Sequence, residues 1–330
     1  MAGYPKSLQY LAQRLNNYHR QSLRLTPRNA ASGRAGSIIS VTLPENALVD
    51  LRTFCLHALG SVSVAPDGAN AAFPKHVESL IGRVSVDVNS TTVDPGTSYT
   101  NMLSKILYDY TMDASMDSIR NVGMLGGDAV NNTAAPDRVP LTCCNWIGFL
   151  QAAPAVLDTS LTGPITINIH LADDTVLVTG AGVTTAHYTL ADISFTIDVI
   201  SIDDGVYHAI LNRRLESGPI PVTFPRFVSF MGSSSTSAAT NLTFGVSSQS
   251  VDFLVGTLVN GNFNTMGANR LDQNTKSSPY FTRGAGVSLQ GSQFTISGVT
   301  YPSYMPTPMQ AFSQTITALG INQSALGGAD

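Results

Sequence analysis

A short apolar phrase occurs twice in this chain, and its second copy follows directly after a strand pattern and a helix pattern. The first copy, Ile39–Pro44, reads Ile-Ser-Val-Thr-Leu-Pro, and the second, Ile220–Pro225, reads Ile-Pro-Val-Thr-Phe-Pro. Ahead of the second copy, Ile193–Ile202 alternates apolar and polar residues, which is typical of a half-buried strand. The repetition predicts two copies of one β-module in tandem.

The joint between the two modules is predicted to be a helix over residues 203–218. Asp203 and Asp204 stand where helix N-caps belong, and apolar residues follow them at helical spacing. Gly218 and Pro219 end the helix, because glycine accepts the left-handed C-terminal conformation and proline cannot continue the hydrogen-bond ladder. The first module is therefore predicted over residues 36–202 and the second over residues 219–330.

A strand, a proline-containing turn and a helix recur in the same order in both halves. In the first half, Arg83–Asn89 leads through a turn at residues 94–96 into a predicted helix at Ser98–Met112. In the second half, Phe294–Val299 leads through three prolines into a predicted helix near Met309–Leu319. This parallel order supports the duplication.

Most of the remaining chain alternates apolar and polar residues between turn signals, so the predicted class is all-β with a few helices. The other predicted strands of the first module are Ser37–Leu43, Leu51–Val64, Leu141–Leu150, Pro164–Leu171 and Asp174–Thr179. The other predicted strands of the second module are Ile220–Pro225, Val251–Val259, which ends at an Asn-Gly hairpin signal, and Val287–Leu289.

Charged residues are few. They make up 12% of the chain, against about 25% in soluble domains of ordinary composition. This low fraction favours a surface that is largely covered by other subunits, because the cores of protein interfaces are depleted in charge. The alternative is a β-protein whose surface is neutral, polar and rich in Ser and Thr.

The charges are also unevenly distributed, which defines an N-terminal arm and linker over residues 1–35. The first 34 residues hold no acidic residue and six basic ones, at Lys6, Arg14, Arg20, Arg24, Arg28 and Arg34. Residues 5–20 show the apolar stripe of an amphipathic helix. A basic helix on an acidic body indicates an anionic partner, either lipid headgroups or nucleic acid. The alternatives are a terminal helix packed on its own domain and a mitochondrial transit peptide.

No residue pattern in the chain predicts catalysis, a metal site or a cofactor. The six histidines have no metal-ligand spacing, and the chain lacks the common nucleophile and phosphate-binding motifs. The three cysteines, Cys55, Cys143 and Cys144, are interpreted as reduced core or interface thiols. No secretory signal or transmembrane run is predicted. The chain is therefore not expected to be an enzyme.

The chain resembles the double jelly-roll major capsid proteins of icosahedral viruses with an internal membrane, such as the tectivirus, corticovirus and lipid-containing Flavobacterium phage types. The resemblance rests on the repeated phrases, the two strand-to-helix passages, the helical joint and the basic arm at Lys6–Arg28. It implies two eight-stranded jelly-roll barrels in tandem, the absence of a cofactor, and a location in the virion after synthesis in the host cytoplasm. It also implies homotrimers that form pseudo-hexameric capsomers in an icosahedral bacteriophage shell.

The same resemblance implies partners. These are further copies of the chain in the trimer and the capsid lattice, minor capsid and penton proteins, and an internal lipid membrane, with no specific nucleic-acid binding. The membrane or anionic-surface contact would be made by the arm, through Lys6, Leu8, Leu11, Arg14, Leu15, Tyr18, Arg20 and Arg24.

Two other classes of function remain open from the sequence. The alternative function is that of a two-domain β-sandwich carbohydrate-binding or fibre protein, for which exposed aromatic platforms are expected. The chain has one tryptophan, Trp146, in an apolar run typical of a core. A jelly-roll enzyme would need paired carboxylates or a metal cluster, and the chain holds only three glutamates.

Overall fold

The computed structural model describes residues 19–65, 71–74, 76–111, 138–179, 183–202, 204–216, 218–232, 241–246, 250–259, 263 and 291–318. Its strands are β1 His19–Leu25, β2 Gly33–Arg34, β3 Ile38–Thr42, β4 Leu48–Ala65, β5 Ala71–Ala72, β6 Ile81–Val88, β7 Thr91–Asp94, β8 Val139–Cys143, β9 Val156–Asp158, β10 Ile165–Leu171, β11 Val178–Thr179, β12 Thr185–Ser201, β13 Phe294–Ile296 and β14 Val299–Tyr301. Its helices are α1 Thr100–Thr111, α2 Thr159–Thr162, α3 Asp204–Glu216 and α4 Pro308–Ala318.

Eight of these strands form the main paths of two antiparallel sheets, and the short strands β2 and β9 join the first sheet by pairing with β12 and β4. The first sheet has the order β1-β12-β4-β8, and the second has the order β3-β10-β6-β7. Counted along the chain, the first, eighth, third and sixth of the eight strands share one sheet, and the second, seventh, fourth and fifth share the other. This is the strand order of a jelly roll. Residues 19–201 therefore form a jelly-roll β-sandwich.

The core of the sandwich lies between the two sheets and consists of alternate side chains from each strand. Ile165, Ile167 and Ile169 of β10 are fully buried, while the residues between them are only half-buried. The ring of Phe54 lies 5.4 Å from that of Phe195 and 5.5 Å from that of Trp146. These aromatic and branched side chains fill the space between the sheets.

The structure confirms most of the predicted elements of the first module. The predicted strands at Ser37–Leu43, Leu51–Val64, Arg83–Asn89, Pro164–Leu171 and Ile193–Ile202 correspond to β3, β4, β6, β10 and β12, and the predicted helix at Ser98–Met112 corresponds to α1. The helix predicted over residues 203–218 corresponds to α3, and its role as a joint between two modules stays a prediction.

Two predicted strands of the first module are largely wrong. Asp174–Thr179 begins with a 3-10 turn. The Asp174 carboxylate accepts a hydrogen bond from the Tyr188 backbone N–H and also contacts Nδ1 of His187, and these two contacts fix the turn. Leu141–Leu150 is a strand only as far as Cys143. It then gives way to a second 3-10 turn, where the Asp94 carboxylate accepts from the Phe149 N–H.

The structure also moves the start of the first module. The sequence predicted an arm and linker up to residue 35, whereas β1 begins at His19 and β2 occupies Gly33–Arg34. The reason is long-range pairing, since Leu23 and Leu25 lie opposite Ile197 and Phe195 of β12. Of the helix predicted over residues 5–20, residues 5–18 lie outside the described part, and the last two belong to β1.

The described part of residues 219–330 contains no second jelly-roll sheet. The predicted strand Val251–Val259 is irregular there, and Ile220–Pro225 makes only one bridge, in which Thr223 pairs with Ala153 through two backbone hydrogen bonds. The predicted strand Phe294–Val299 is instead the hairpin β13–β14, and the predicted helix near Met309–Leu319 is confirmed as α4. Val287–Leu289 lies outside the described residues.

The helix α3 leaves the end of β12 and is held to the jelly roll by a side-chain hydrogen bond. The hydroxyl of Tyr207 donates to the carboxylate of Asp158 at 2.5 Å, and the same carboxylate caps the short helix α2 by accepting from the Ser160 N–H. Among the described residues, no helix is long and apolar enough to cross a membrane.

Candidate functional site

The outer side of the first sheet carries a continuous set of polar side chains, which we call the polar sheet face. The core contains the side chains of Phe54, Leu56, Cys143 and Phe195, so the residues that alternate with them along the strands point outward. The polar sheet face comprises Arg20, Arg24, Asp50, Cys55, His57, Thr142, Cys144, Thr196 and Asp198.

His57 lies at the centre of this face and links three strands. Its Nδ1 is 3.1 Å from the hydroxyl of Thr142 on β8, and its Nε2 is 2.9 Å from the hydroxyl of Thr196 on β12. Burial, and then the nearby guanidinium of Arg24, lower the pKa of His57 below its ordinary value. The imidazole is therefore held as the neutral form, with one ring nitrogen donating and the other accepting.

Arg20 is neutralised within the sheet. Its Nε donates to the Asp198 carboxylate at 2.6 Å and its Nη2 donates to the Asp50 carboxylate at 3.0 Å. The two acids come from neighbouring strands, so the guanidinium fastens the edge strand β1 across β12 to β4. Its side chain remains 41% exposed, which makes this pair of contacts a modest contribution to stability.

The structure brings together only two of the residues that the sequence assigned to an anionic-surface contact. Arg20 and Arg24 both lie on β1, on the polar sheet face. Arg20 already has carboxylate partners there, so its charge is less available to an anionic surface, and its part in the contact stays a prediction. The other six, Lys6, Leu8, Leu11, Arg14, Leu15 and Tyr18, lie outside the described residues.

A second notable surface belongs to the extended chain after α3, and we call it the apolar strip. Its large side chains are between 43% and 59% exposed in the single chain, at Val228, Phe230, Met231, Leu242, Phe244, Val246, Val251, Phe253, Leu254 and Val255. The rings of Phe230 and Phe244 stack at 5.0 Å, and those of Phe227 and Phe253 meet at 5.9 Å. Exposed apolar surface of this extent is typical of a contact with another protein, a membrane or a ligand.

The apolar strip begins against the jelly roll. The Phe224 ring meets that of Phe149 at 5.3 Å, and the Ser229 hydroxyl donates to the Ser98 carbonyl at 2.7 Å, just ahead of α1. The Tyr99 hydroxyl is 3.4 Å from the Met231 sulfur. These contacts place the beginning of the second half beside the first turn of α1.

Within the described ranges, no group of three or more His, Cys, Asp or Glu side chains is arranged to hold a metal ion. Trp146 is buried as expected, and its indole N–H donates to the Phe54 carbonyl at 2.8 Å. The one tryptophan of the chain therefore belongs to the core of the sandwich and forms no exposed platform.

The fold and these surfaces define a class, that of the all-β jelly-roll proteins. No protein-family model and no curated protein sequence matches the chain.

Several solved structures are similar to part of this chain, and the three that follow are viral proteins. The PBCV-1 VP54 protein, fitted into a reconstruction of the virophage Sputnik, is 19% identical with a TM-score of 0.40, over 58% of this chain and 44% of that one. The Faustovirus major capsid protein is 10% identical with a TM-score of 0.39, over 60% of this chain and 56% of that one. The mavirus major capsid protein is 11% identical with a TM-score of 0.34, over 67% of this chain and 50% of that one. The chain thus spans about half the length of these proteins.

Proposed function

We propose that this chain is a viral major capsid protein that assembles with copies of itself into a shell. The observation that carries the proposal is the jelly-roll strand order of residues 19–201, followed through α3 by an apolar strip that is exposed in the single chain. Jelly rolls serve mainly as capsid, lectin and cupin domains. Because side chains fill the interior of this sandwich, its function is expected on its outer faces.

The low charge of the chain supports the same proposal. Only 12% of its residues are charged, and the apolar strip would cost free energy if it stayed in water. Contact with neighbouring copies removes that cost. In this proposal the homotrimers are pseudo-hexameric and tile an icosahedral virion, and residues 219–330 complete a second jelly roll within the trimer. The chain then acts in the virion as a structural protein and not as an enzyme.

The buried position of Trp146 excludes the one tryptophan of the chain as a sugar-binding platform. Sugar-binding platforms need an aromatic ring that is open to solvent, and this indole is 7% exposed. A fibre protein remains compatible with the apolar strip, but a fibre would grow without closing.

The test is the mass and shape of the purified full-length chain in solution. We expect light scattering to give a trimer whose mass does not change on dilution, and electron microscopy to show particles of pseudo-hexagonal outline. A stable monomer would overturn the proposal, and open filaments would favour the fibre protein.

We also propose that the N-terminal arm contacts an internal lipid membrane through Lys6, Leu8, Leu11, Arg14, Leu15 and Tyr18, with Arg24 contributing from the sheet edge. Each basic residue near an anionic bilayer contributes on the order of 1 kcal/mol, so single arms bind weakly and many arms in a shell bind well. Minor capsid and penton proteins would fill the positions of the shell that trimers cannot occupy.

Vesicle binding tests the arm. The double variant Lys6→Ser/Arg14→Ser is expected to bind anionic vesicles about tenfold or more weakly than the parent trimer. Arg213→Ser/Arg214→Ser, which removes the same charge from the exposed end of α3, is the matched control. Equal binding by the arm variant and the parent would refute the electrostatic part of this contact.

A further inference from the structure

Two cysteines face each other across neighbouring strands on the polar sheet face. His57 on β4 lies directly opposite Thr142 on β8, and their side chains bond on the outer side of the sheet. One residue further along, Leu56 lies opposite Cys143, and both side chains are buried in the core. Continued by one residue beyond the end of β8, this antiparallel register places Cys144 opposite Cys55 on the outer side.

The thiols of this outer pair are already in contact. The Cys55 and Cys144 side chains are hydrogen-bonded, and both are half-buried, so they remain within reach of small reagents. Cys143 is fully buried on the opposite side of the sheet, because successive side chains of a strand alternate. The chain therefore has one cysteine pair that can bridge and one separate core thiol.

The geometry of opposed residues in an antiparallel pair suits a disulfide. Directly opposed Cα atoms are roughly 4.5 or 5.5 Å apart, depending on the hydrogen-bonding position, and both separations fall within the range of roughly 4.4–6.8 Å that disulfides require. Cys144 follows the last residue of β8, so its backbone has fewer ladder hydrogen bonds to break.

We propose that Cys55 and Cys144 are a redox modification site, which forms an intrachain cross-strand disulfide when the protein meets a disulfide oxidant such as oxidised glutathione. One cysteine thiolate attacks a sulfur of the oxidant and releases one reduced glutathione. The second cysteine thiolate then attacks the mixed disulfide and releases another. Two thiols are oxidised, one oxidant disulfide is reduced, and the two protons pass to the released glutathione thiolates.

The neighbouring groups act on the Cys55 thiol in opposite directions. The Thr196 hydroxyl bonds the Cys55 sulfur, which favours the thiolate, and Thr196 also contacts Nε2 of the neutral His57. The hydrogen bond with Cys144, and then burial, raise the pKa of the Cys55 thiol, so the exchange is expected to be faster at higher pH. The bridge would fasten the edge strand β8 to the central strand β4 and close a loop that spans α1.

Disulfide mapping tests the proposal. The full-length protein is treated with oxidised glutathione, digested without reduction and analysed by mass spectrometry. We expect a peptide pair that joins Cys55 to Cys144 and a melting temperature about 5 °C or more above that of the reduced protein. Cys55→Ser and Cys144→Ser are expected to lose both the linked pair and the shift, whereas Cys143→Ala keeps both.

Three outcomes would overturn the proposal. The first is a linked pair that includes Cys143, and the second is a disulfide between chains on a non-reducing gel. The third is persistence of both outer thiols as glutathione adducts without bridging. If a serine variant fails to fold, the parent protein with its thiols chemically blocked before oxidation replaces it. Blocking both outer thiols must then abolish the temperature shift.

Discussion

At the scale of the residue, the tightest constraint in the jelly roll is at Gly96, in the turn between β7 and α1. Its φ is +67°, and a Cβ built there would lie 1.8 Å from the Val84 carbonyl oxygen. The Asp94 carboxylate accepts from the Gly96 N–H at 2.9 Å and holds the turn in this position. Any side chain at this residue must therefore push the turn away from β6.

Gly96→Ala is expected to lower the free energy of unfolding by about 3 kcal/mol or more, because it adds a backbone clash to left-handed strain. Urea unfolding followed by the fluorescence of Trp146 measures the loss. The matched control is Gly36→Ala, where φ is +73° but nothing lies within 4 Å of the added carbon. At this residue only the backbone strain applies, and we expect the free energy of unfolding to fall by about 1 kcal/mol. Equal losses at the two sites would contradict the close contact.

His57 is expected to make the jelly roll sensitive to acid. Its pKa in the folded chain is lowered, so below pH 6.5 the unfolded chain takes up a proton that the folded chain does not. The stability is therefore fully present above this pH and is lost as the pH falls. Groups that face the imidazole are Arg24, Thr142 and Thr196.

Thermal melting between pH 7.5 and pH 5 tests this expectation. His57→Gln keeps a polar side chain between the two threonines and is expected to show a smaller fall in melting temperature than the parent. Arg24→Gln removes only the second cause of the pKa shift and is expected to fall between the two. If His57→Gln lost stability with falling pH as steeply as the parent, His57 would not be the cause of the acid sensitivity.

At the scale of the element, α3 is fastened to the jelly roll by the hydrogen bond between Tyr207 and Asp158. Burial alone would raise the pKa of Asp158, but the hydrogen bonds from Ser160 and Tyr207 outweigh it and lower the pKa. The Tyr207 hydroxyl thus donates to a carboxylate that stays charged, which is the stronger kind of hydrogen bond.

Tyr207→Phe is expected to cost about 1–2 kcal/mol and to speed amide hydrogen exchange within Asp204–Glu216. Hydrogen exchange followed by mass spectrometry measures the exchange rate of the peptides from this helix. Tyr304→Phe is the control, because the hydroxyl of Tyr304 accepts a bond from Gln314 but the residue is 51% exposed. Unchanged exchange in α3 of the Tyr207 variant would mean that other contacts hold this helix.

Sequence patterns predicted the elements that rely on local alternation, such as β4, β10 and α1, and missed those that rely on distant pairing. His19–Leu25 has only two apolar residues on its inner side, and its strand state depends on β12, with Arg20 and Asp198 separated by 178 positions. The pattern of Val251–Val259 is that of a strand, yet a strand also needs a partner for its backbone groups. No partner is present among the described residues.

The sites were predicted less well than the fold, for a related reason. Thr196 lies on the outer side of its strand, in line with the alternating pattern of Ile193–Ile202, but its contact with His57 depends on the register between β12 and β4. That register shifts twice, between Ala191 and Ser194 and between Thr196 and Asp198. Such bulges leave no dependable sequence signal. The Cys55 and Cys144 pair depends in turn on the register between β4 and β8, which the alternation within either strand does not reveal.

At the scale of the whole molecule, the apolar strip gives the chain a reason to associate. We expect Phe244→Ser/Phe253→Ser to reduce the trimer fraction at least tenfold in a dilution series while leaving the melting temperature of the jelly roll within about 2 °C. Analytical ultracentrifugation gives the fractions. Both rings are nearly half exposed in the single chain, so their loss costs little there.

Leu161→Ser is the matched control for this variant. Leu161 is 53% exposed, but it lies in α2 on the jelly roll and not in the apolar strip. It should leave the trimer intact. If both variants dissociated alike, general surface hydrophobicity and not the strip would drive the association.

The pairing of β1 with β12 has a consequence for how the protein is made. The first strand of the jelly roll is completed by the last, so β1 cannot find its place until the ribosome has released the residues up to Ser201. At ordinary rates of synthesis, making the residues from the end of β1 to Ser201 takes roughly 10–35 s. Throughout that interval β1 lacks the partner strand that covers its inner side, so its backbone and side chains are open to other surfaces near the ribosome before the domain has closed.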